Sequence, residues 1–307
     1  MSARLTAREI TLRYGERVVS TRLSLDVPDG AFTAIVGPNA CGKSTLLRAL
    51  VRLLRPESGH VELDGREVGG YASKALAKQL GFLPQDPLAP DDIKVRQLVS
   101  RGRFPHQSLL ALWSAQDEEA VAEAMASAGV ADLGDRPVQE LSGGQRQRVW
   151  MAMVLAQRTP YLLLDEPTSF LDITHQYQLL GLLARLRDEG RTVIAVLHDI
   201  NQACRYADHL VAMRDGRVVA EGVPGDVVDA ALIKDVFELP SVIVPDPVTG
   251  TPMVVPTLQG EQVEHRKRVL DRPSRPDPRP VGHLERPTPG AGLALLPGGR
   301  RGGDIRR

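Results

Sequence analysis

The 307-residue sequence has few cysteines, few aromatic residues, no excess charge of either sign and no long apolar run. Two cysteines cannot build a disulfide framework, which fits a reducing compartment. Aromatic residues make up 4% and 38 basic residues balance 38 acidic ones, so we expect neither a base-stacking surface nor a nucleic-acid partner. No stretch approaches the ~18–20 apolar residues of a membrane-spanning helix, so any role at a membrane requires docking onto another protein.

The remaining composition is that of a globular protein, except at the C-terminal end. Hydrophobic residues make up 42% and charged residues 25%, and the length suits one large domain or two smaller ones. Residues 261–307 differ, with seven prolines and seven glycines and with eleven basic residues against six acidic ones. We expect this segment to be a disordered tail rich in Pro, Gly and Arg, because its composition cannot form a packed core.

Apolar periodicity predicts an α/β organisation before the tail. Residues 5–14 and 18–27 alternate as two strands joined by a turn, and a hairpin is predicted around 215–216. Short apolar runs at 32–36, 161–164 and 192–197 predict buried strands, which alternate with helices and so favour a parallel sheet. Helices are predicted at 44–54, 73–80, 117–128, 144–157, 173–188 and 227–237, and residues from 95 to about 137 are expected to form a helical insert on the core.

A glycine-rich loop follows the strand at 32–36 and opens the next helix. Its residues are Gly37, Pro38, Asn39, Ala40, Cys41, Gly42, Lys43, Ser44 and Thr45, which satisfy G-x-x-x-x-G-K-[ST]. Backbone N–H groups of such a loop wrap a phosphate, while Lys43 supplies a positive charge and the Ser44 hydroxyl is a hard ligand for Mg²⁺. A glycine-rich turn without a ligand is the alternative, but the strand before it and the helix after it favour nucleotide binding.

Two further strands end in side chains suited to phosphate chemistry. Asp165 and Glu166 close the strand at 161–164, and His198 follows the strand at 192–197. Ligands gather at the carboxyl ends of the strands of an open parallel sheet, so these residues are expected near the glycine-rich loop. Asp165 would lie near Mg²⁺, Glu166 would polarise an attacking water, and His198 would contact the γ-phosphate.

A second helix start has the features of an anion site. Ser142 is a natural N-cap, and Gly143 and Gly144 leave backbone N–H groups open ahead of Gln145. Alone, this segment would be an ordinary capped helix. Together with a complete phosphate loop, it suggests that one nucleotide is bound from two sides.

In this order the motifs resemble those of the ATP-binding-cassette (ABC) ATPases, over about residues 3–256. The markers are the Walker A loop at 37–45, Gln85, the signature at 141–145, Walker B at 161–166, the D-loop at 169–172, the switch residue His198, and Tyr14 at the place of the aromatic that stacks on adenine. The resemblance implies a P-loop NTPase α/β fold with a mixed or parallel core sheet. It also implies an N-terminal antiparallel β subdomain and an α-helical subdomain at about 90–157.

The resemblance also implies a role for each marker residue. Tyr14 would pack on the base, and Lys43 and the loop amides would hold the phosphates of ATP. The Mg²⁺ ligands would be Ser44, Gln85 and Asp165, with Gln85 also coupling to the membrane subunit. Glu166 would be the catalytic base and His198 the γ-phosphate sensor, joined in catalysis by Lys43.

Two cassettes face each other head to tail in this family. Residues Ser142, Gly143, Gly144 and Gln145 of one cassette would complete the nucleotide site of the other, with Asp172 at the interface. The chain has one cassette, so the resemblance implies a homodimer or a heterodimer with a second cassette. One position departs from the pattern: the family usually has Gly where this chain has Ala40, and a left-handed backbone there would cost Ala on the order of 1 kcal/mol.

Longer runs resemble one subgroup, the ATPases of ferric-siderophore importers of the ferric enterobactin or ferric dicitrate type. These runs lie at 101–106, 165–176, 197–209 and 245–250. They imply a subunit that hydrolyses ATP at the cytoplasmic face of the cell membrane, bound to permease subunits and served indirectly by a substrate-binding protein. Import of haem or cobalamin remains an alternative. A non-transport cassette fits less well, because those proteins usually carry two cassettes or a long coiled coil.

Overall fold

The computed structural model describes residues 3–107 and 113–257. In this part of the chain the strands are β1 (Ala3–Tyr14), β2 (Arg17–Pro28), β3 (Phe32–Val36), β4 (Ser58–Leu63), β5 (Arg66–Glu67), β6 (Leu80–Leu83), β7 (Tyr161–Asp165), β8 (Thr192–Val196), β9 (His209–Arg214), β10 (Arg217–Gly222), β11 (Ser241–Pro245) and β12 (Pro252–Pro256). The α-helices are α1 (Lys43–Leu50), α2 (Ser73–Ala77), α3 (Val95–Ser100), α4 (Ala115–Ser127), α5 (Gly143–Ala156), α6 (Ile173–Asp188), α7 (Ile200–Tyr206), α8 (Pro224–Val227) and α9 (Ala230–Phe237). Short 3₁₀ turns lie at Val68–Gly70, Arg101–His106, Ala131–Leu133 and Val138–Glu140.

The central sheet has the strand order β10-β9-β3-β8-β7-β6. Its pairs are parallel except for the β9–β10 hairpin, which confirms the predicted mixed sheet. Every residue of β3, β7 and β8 is buried, as expected for apolar strands covered on both faces. The register pairs Leu164 with Ala195 and Asp165 with Val196, so the loops after these strands leave the sheet at the same edge.

A second, antiparallel sheet has the order β2-β1-β4-β5, which confirms the predicted N-terminal β subdomain. Its inner residues Leu5, Ile10 and Leu12 are fully buried and belong to the same core cluster as Leu46 and Leu47 of α1. The hydrophobic core therefore ties the helix that follows the glycine-rich loop to this sheet.

Helices α3, α4 and α5 lie in the stretch predicted as a helical subdomain. A buried ion pair joins their ends: Arg103 Nε donates to Asp117 Oδ1 at 2.8 Å. Arg103 Nη1 also donates to the carbonyl oxygen of Ala156 at 2.9 Å, so one guanidinium connects a 3₁₀ turn, α4 and the end of α5.

Two predicted helices end earlier in the structure than predicted, and a third is divided in two. The helix predicted at 44–54 ends at Leu50, because Arg52 adopts a left-handed backbone with φ of 62°. The helix predicted at 73–80 ends at Ala77, because the next residues turn into β6. The helix predicted at 227–237 is divided into α8 and α9, because the Asp229 side chain caps a new helix by accepting from the Leu232 N–H at 2.7 Å.

The predicted tail at 261–307 lies outside the described residues. Within residues 3–107 and 113–257, no helix is long and apolar enough to cross a membrane.

Candidate functional site

The glycine-rich loop joins β3 to α1 in a tight, partly left-handed backbone. A Cβ on Gly37 would lie 2.1 Å from the carbonyl oxygen of Met213, so only glycine fits there. Gly42 has φ of 108° at the N-cap of α1, which is a conformation that favours glycine. Ala40 has φ of 61°, so the position where the ABC family usually has Gly is indeed left-handed in this chain.

Lys43 lies inside the curve of this loop and is only 5% exposed. Its Nζ donates to the carbonyl oxygens of Gly37 at 2.9 Å and Pro38 at 2.8 Å. The Sγ of Cys41 lies 3.9 Å from the same nitrogen. Burial raises the pKa of the Cys41 thiol, and the Lys43 charge opposes this only in part. The loop therefore holds one ammonium group where a phosphate would be bound.

A hydroxyl and a carboxylate meet behind the loop. Ser44 Oγ donates to Asp165 Oδ1 at 2.8 Å, across 121 residues of sequence. Burial raises the pKa of Asp165, while the Ser44 hydrogen bond and the Lys43 charge act in the opposite direction. Asp165 Oδ2 is buried and has no hydrogen-bond partner among the described residues.

This pair fits a hard cation. A hydroxyl oxygen beside an unpartnered carboxylate oxygen is a donor set that suits Mg²⁺. In the part of the chain that the structure describes, no group of three or more His, Cys, Asp and Glu side chains is placed to hold a metal ion. A cation at this point would thus need ligands besides these carboxylate and imidazole groups, and phosphate oxygens and water commonly serve Mg²⁺ in nucleotide sites.

The side chain of Glu166 is held by three neighbours. Gln85 Nε2 donates to Glu166 Oε2 at 2.8 Å, and Ser169 Oγ donates to the same oxygen at 3.3 Å. His198 Nε2 lies 2.7 Å from Glu166 Oε1. The Glu166 backbone is left-handed, with φ of 53°, a strained conformation that persists in proteins where the surroundings hold it. Its carboxylate is therefore fixed in orientation.

Most of the predicted residues around the glycine-rich loop line one cleft of about 550 Å³. Of the predicted site residues, the cleft is lined by Tyr14, Asn39, Ala40, Gly42, Lys43, Ser44, Thr45, Gln85, Glu166 and His198. Gly37, Pro38, Cys41 and Asp165 are not among its lining residues. Arg17 and Val19 also line it and were not predicted. Their position on β2, directly across the Gly15-Glu16 turn from Tyr14, is the signal that would have found them.

The predicted signature and Asp172 do not line this cleft. Ser142 caps α5 by accepting from the Gln145 N–H at 3.2 Å, while Gln145 Oε1 accepts from the Ser142 N–H at 3.1 Å. A Cβ on Gly144 would lie 3.2 Å from the carbonyl oxygen of Phe170, so the signature lies against the loop that precedes α6.

That loop and the first turn of α6 present apolar and charged groups to solvent. Phe170 and Ile173 are each 71% exposed. Asp172 Oδ1 accepts from the N–H of His175 at 2.9 Å, and His175 Nδ1 lies 2.8 Å from the same oxygen. These contacts with His175 lower the pKa of Asp172. The surface formed by residues 142–145 and 170–173 is thus built separately from the cleft.

A family model described as "ABC transporter" matches residues 20–169. The ferric enterobactin transport ATP-binding protein FepC of Escherichia coli (strain K12) is 55% identical over 83% of this chain and 94% of its own length. The petrobactin import ATP-binding protein FpuD of Bacillus anthracis is 47% identical over 88% of this chain and 98% of its own length.

A solved structure resembles the chain as well. It is the dimeric, post-hydrolysis state of the ATP-binding cassette MJ0796 bound to ADP and Pi. The TM-score is 0.64 and the sequence identity 28%, over 71% of this chain and 98% of that one.

Proposed function

The chain belongs to the ABC transporter family, and from this we propose that it is the ATP-hydrolysing subunit of an importer for ferric siderophores. Membership makes it an ATPase. The observation that carries the proposal for the chemistry is the single cleft that holds Lys43, Ser44, Glu166 and His198. The two relatives are named as ATP-binding proteins of ferric enterobactin transport and of petrobactin import, and these names support the substrate class.

ATP would occupy the cleft with its phosphates on the glycine-rich loop. Lys43 and the loop amides would bind the β- and γ-phosphates, and the half-exposed ring of Tyr14 would pack on the base. Ser44 and Asp165 Oδ2 would hold Mg²⁺, together with Gln85 Oε1, the amide oxygen left after Nε2 bonds to Glu166. Mg²⁺ supplies charge neutralisation at the transferring phosphoryl group when it is bound.

Glu166 would act as the catalytic base. Its carboxylate, held by Gln85, Ser169 and His198, would accept a hydrogen bond from the attacking water and orient it toward the γ-phosphorus. His198, which is 46% exposed in its side chain, would contact the γ-phosphate from the other side and stabilise the charge that develops there.

A second cassette would complete the site. Ser142, Gly143, Gly144 and Gln145 lie outside the cleft, and the neighbouring Phe170 and Ile173 are exposed apolar residues. We place these residues and Asp172 at an interface with a second copy, so that the helix start at Ser142 faces the partner's γ-phosphate. The dimeric state of the related cassette supports this arrangement.

The dimer would act on permease subunits at the cytoplasmic face of the membrane, which it would reach as a peripheral subunit. ATP binding would close the two cassettes, and hydrolysis with phosphate release would reopen them. The siderophore would be selected by the permease and an external binding protein, so the chain itself carries no substrate pocket in this proposal. Haem or cobalamin would be the alternative cargo.

Glu166→Gln tests the chemistry. We expect kcat to fall at least about 100-fold, because general base catalysis contributes this much, while the KM for ATP stays within about twofold. Glu189→Gln is the matched control, since Glu189 is exposed and remote from the cleft, and it should leave both constants unchanged. Full turnover by Glu166→Gln would overturn the assignment of the base.

The same variant tests the dimer. Purified Glu166→Gln with ATP should double its mass in sedimentation, and Phe170→Asp should prevent this by placing a charge on the apolar surface. A monomer at saturating ATP would refute the homodimer and favour a different second cassette.

The cargo is tested in cells. In a strain deleted for the chain, uptake of labelled ferric siderophores, haem and cobalamin is compared between the wild-type chain and Glu166→Gln. Restored siderophore uptake supports the proposal, whereas restored uptake of haem or cobalamin alone would replace the cargo.

A further inference from the structure

Two glutamines connect the loop before α6 with the helix that follows His198. Gln176 on α6 donates through Nε2 to the carbonyl oxygen of Leu171 at 3.0 Å. Gln202 on α7 donates through Nε2 to Gln176 Oε1 at 2.8 Å. Gln202 is only 5% exposed. Because an amide side chain both donates and accepts, the pair forms a directed chain of hydrogen bonds across two helices.

One end of this series of hydrogen bonds lies at the surface assigned to the partner cassette. Leu171 directly precedes Asp172 and directly follows Phe170, whose backbone lies against Gly144. The Leu171 carbonyl oxygen is therefore a point of the loop that would be displaced if a partner pressed on it.

The other end lies next to the catalytic carboxylate. The backbone N–H of Gln202 donates to Asp199 Oδ1 at 3.1 Å, as part of the N-terminal cap of α7. Asp199 directly follows His198, whose Nε2 lies 2.7 Å from Glu166 Oε1. A shift of α7 would consequently move the backbone that carries His198.

The opposite side of α7 is tied to β12. Asn201 Nδ2 donates to the carbonyl oxygen of Val254 at 3.1 Å, and the Val254 N–H donates to Asn201 Oδ1 at 2.7 Å. Because these hydrogen bonds hold α7 on one side, a displacement passed from Gln176 to Gln202 acts on a helix whose other side is anchored. The geometry can thus transmit a small displacement of the loop.

We propose that Gln176 and Gln202 are positioning residues that set the place of His198 against Glu166 according to the position of the Leu171 backbone. Contact by the partner cassette at the loop before α6 would in this way be read at the catalytic carboxylate of the same subunit. This inference rests on the proposed function, because it takes Glu166 and His198 to act in hydrolysis.

A double-mutant cycle on the full chain tests it. The variants are Gln176→Met, Gln202→Met and the double variant, since Met keeps the length of the side chain without its amide. Gln178→Met on the exposed face of α6 is the matched control. Steady-state ATP hydrolysis gives kcat and KM, and thermal unfolding checks that each variant is folded.

We expect each single variant to lower kcat about fivefold with KM within about twofold, because each interrupts the series of hydrogen bonds. The double variant should also lose about fivefold and not about 25-fold, since coupled sites are not additive. Gln178→Met should behave as wild type. Should Gln202→Met fail to fold, Gln176→Glu replaces it: the carboxylate still accepts from Gln202 but cannot donate to Leu171, and kcat should fall.

The outcomes separate this inference from the proposed function. If the wild-type chain hydrolyses ATP and Glu166→Gln does not, but the two losses in the cycle multiply, the inference alone is overturned. A rise in KM with unchanged kcat would also overturn it. If the wild-type chain hydrolyses no ATP, the proposed function fails first.

Discussion

Ala40 is the residue whose replacement tests the conformation of the glycine-rich loop most directly. With φ of 61°, it occupies a left-handed backbone that costs a non-glycine residue roughly 1–2 kcal/mol. Glycine would remove this cost but would lose about 0.5–1 kcal/mol through the greater freedom of the unfolded chain. The change Ala40→Gly should therefore alter the free energy of unfolding by between nothing and a gain of about 1.5 kcal/mol.

The matched control is the same change in a helix. Ala122 lies in the interior of α4 with its side chain exposed, so Ala122→Gly should lose about 1 kcal/mol. Urea unfolding of both variants at pH 7 compares the two free energies within one protein. If Ala40→Gly loses as much stability as Ala122→Gly, Ala40 is not held in the left-handed conformation and the reasoning is refuted.

ATP affinity answers a second question about the same residue. The strain belongs to the folded loop, so it enters the free energy of unfolding rather than that of binding, provided that the loop keeps its conformation. We expect Ala40→Gly to bind ATP within about twofold of wild type by titration calorimetry, a difference of less than ~0.5 kcal/mol. A tenfold gain in affinity would mean that binding changes the Ala40 backbone.

Further predictions concern the buried ion pair and the two thiols. Arg103→Met should lower the free energy of unfolding by about 3–5 kcal/mol, because it leaves the Asp117 carboxylate buried and unpaired; urea unfolding measures this, and a loss below 1 kcal/mol would contradict it. Burial raises the pKa of Asp117, but the hydrogen bonds from Arg103 and Ser114 and the Arg103 charge together outweigh burial and hold that pKa below its usual range. The stability from the pair is therefore present above about pH 4 and lost as pH falls through the folded pKa, so the penalty of Arg103→Met should shrink in acid. Burial raises the pKa of Cys41, and that of Cys204 to about 12, so iodoacetamide should label neither quickly at pH 7. When the pH is raised so that labelling proceeds, ATP should slow the labelling of Cys41 and not that of Cys204. Mass spectrometry measures the labelling rates, and fast labelling at pH 7 would refute the buried placement of the thiols.

Much of the candidate site could be predicted from the sequence, because its parts are local. The glycine-rich loop follows β3, the two carboxylates lie at the end of β7, and His198 follows β8. The carboxyl ends of such parallel strands meet at one edge of a sheet. Local pattern and this geometric rule are together enough to bring Lys43, Glu166 and His198 into one cleft.

Element boundaries were less predictable. The end of α1 depends on a left-handed Arg52, and the division of α8 from α9 depends on the cap at Asp229. Each is a choice between conformations that differ by about 1–2 kcal/mol, which is within what tertiary contacts can override. Apolar periodicity carries little information about such a choice.

Local sequence patterns were enough to identify the residues available for nucleotide chemistry and the strands that carry them. Three contacts follow from the packing of the folded chain instead: Gln85 donates to Glu166 across 81 residues, Arg103 pairs with Asp117, and Gln202 donates to Gln176. The difference lies in how far apart along the sequence the interacting residues are. A strand or a capped helix is set by neighbours a few residues away, whereas a hydrogen bond of 2.8 Å between distant side chains exists only once the packed core has brought their helices and strands together.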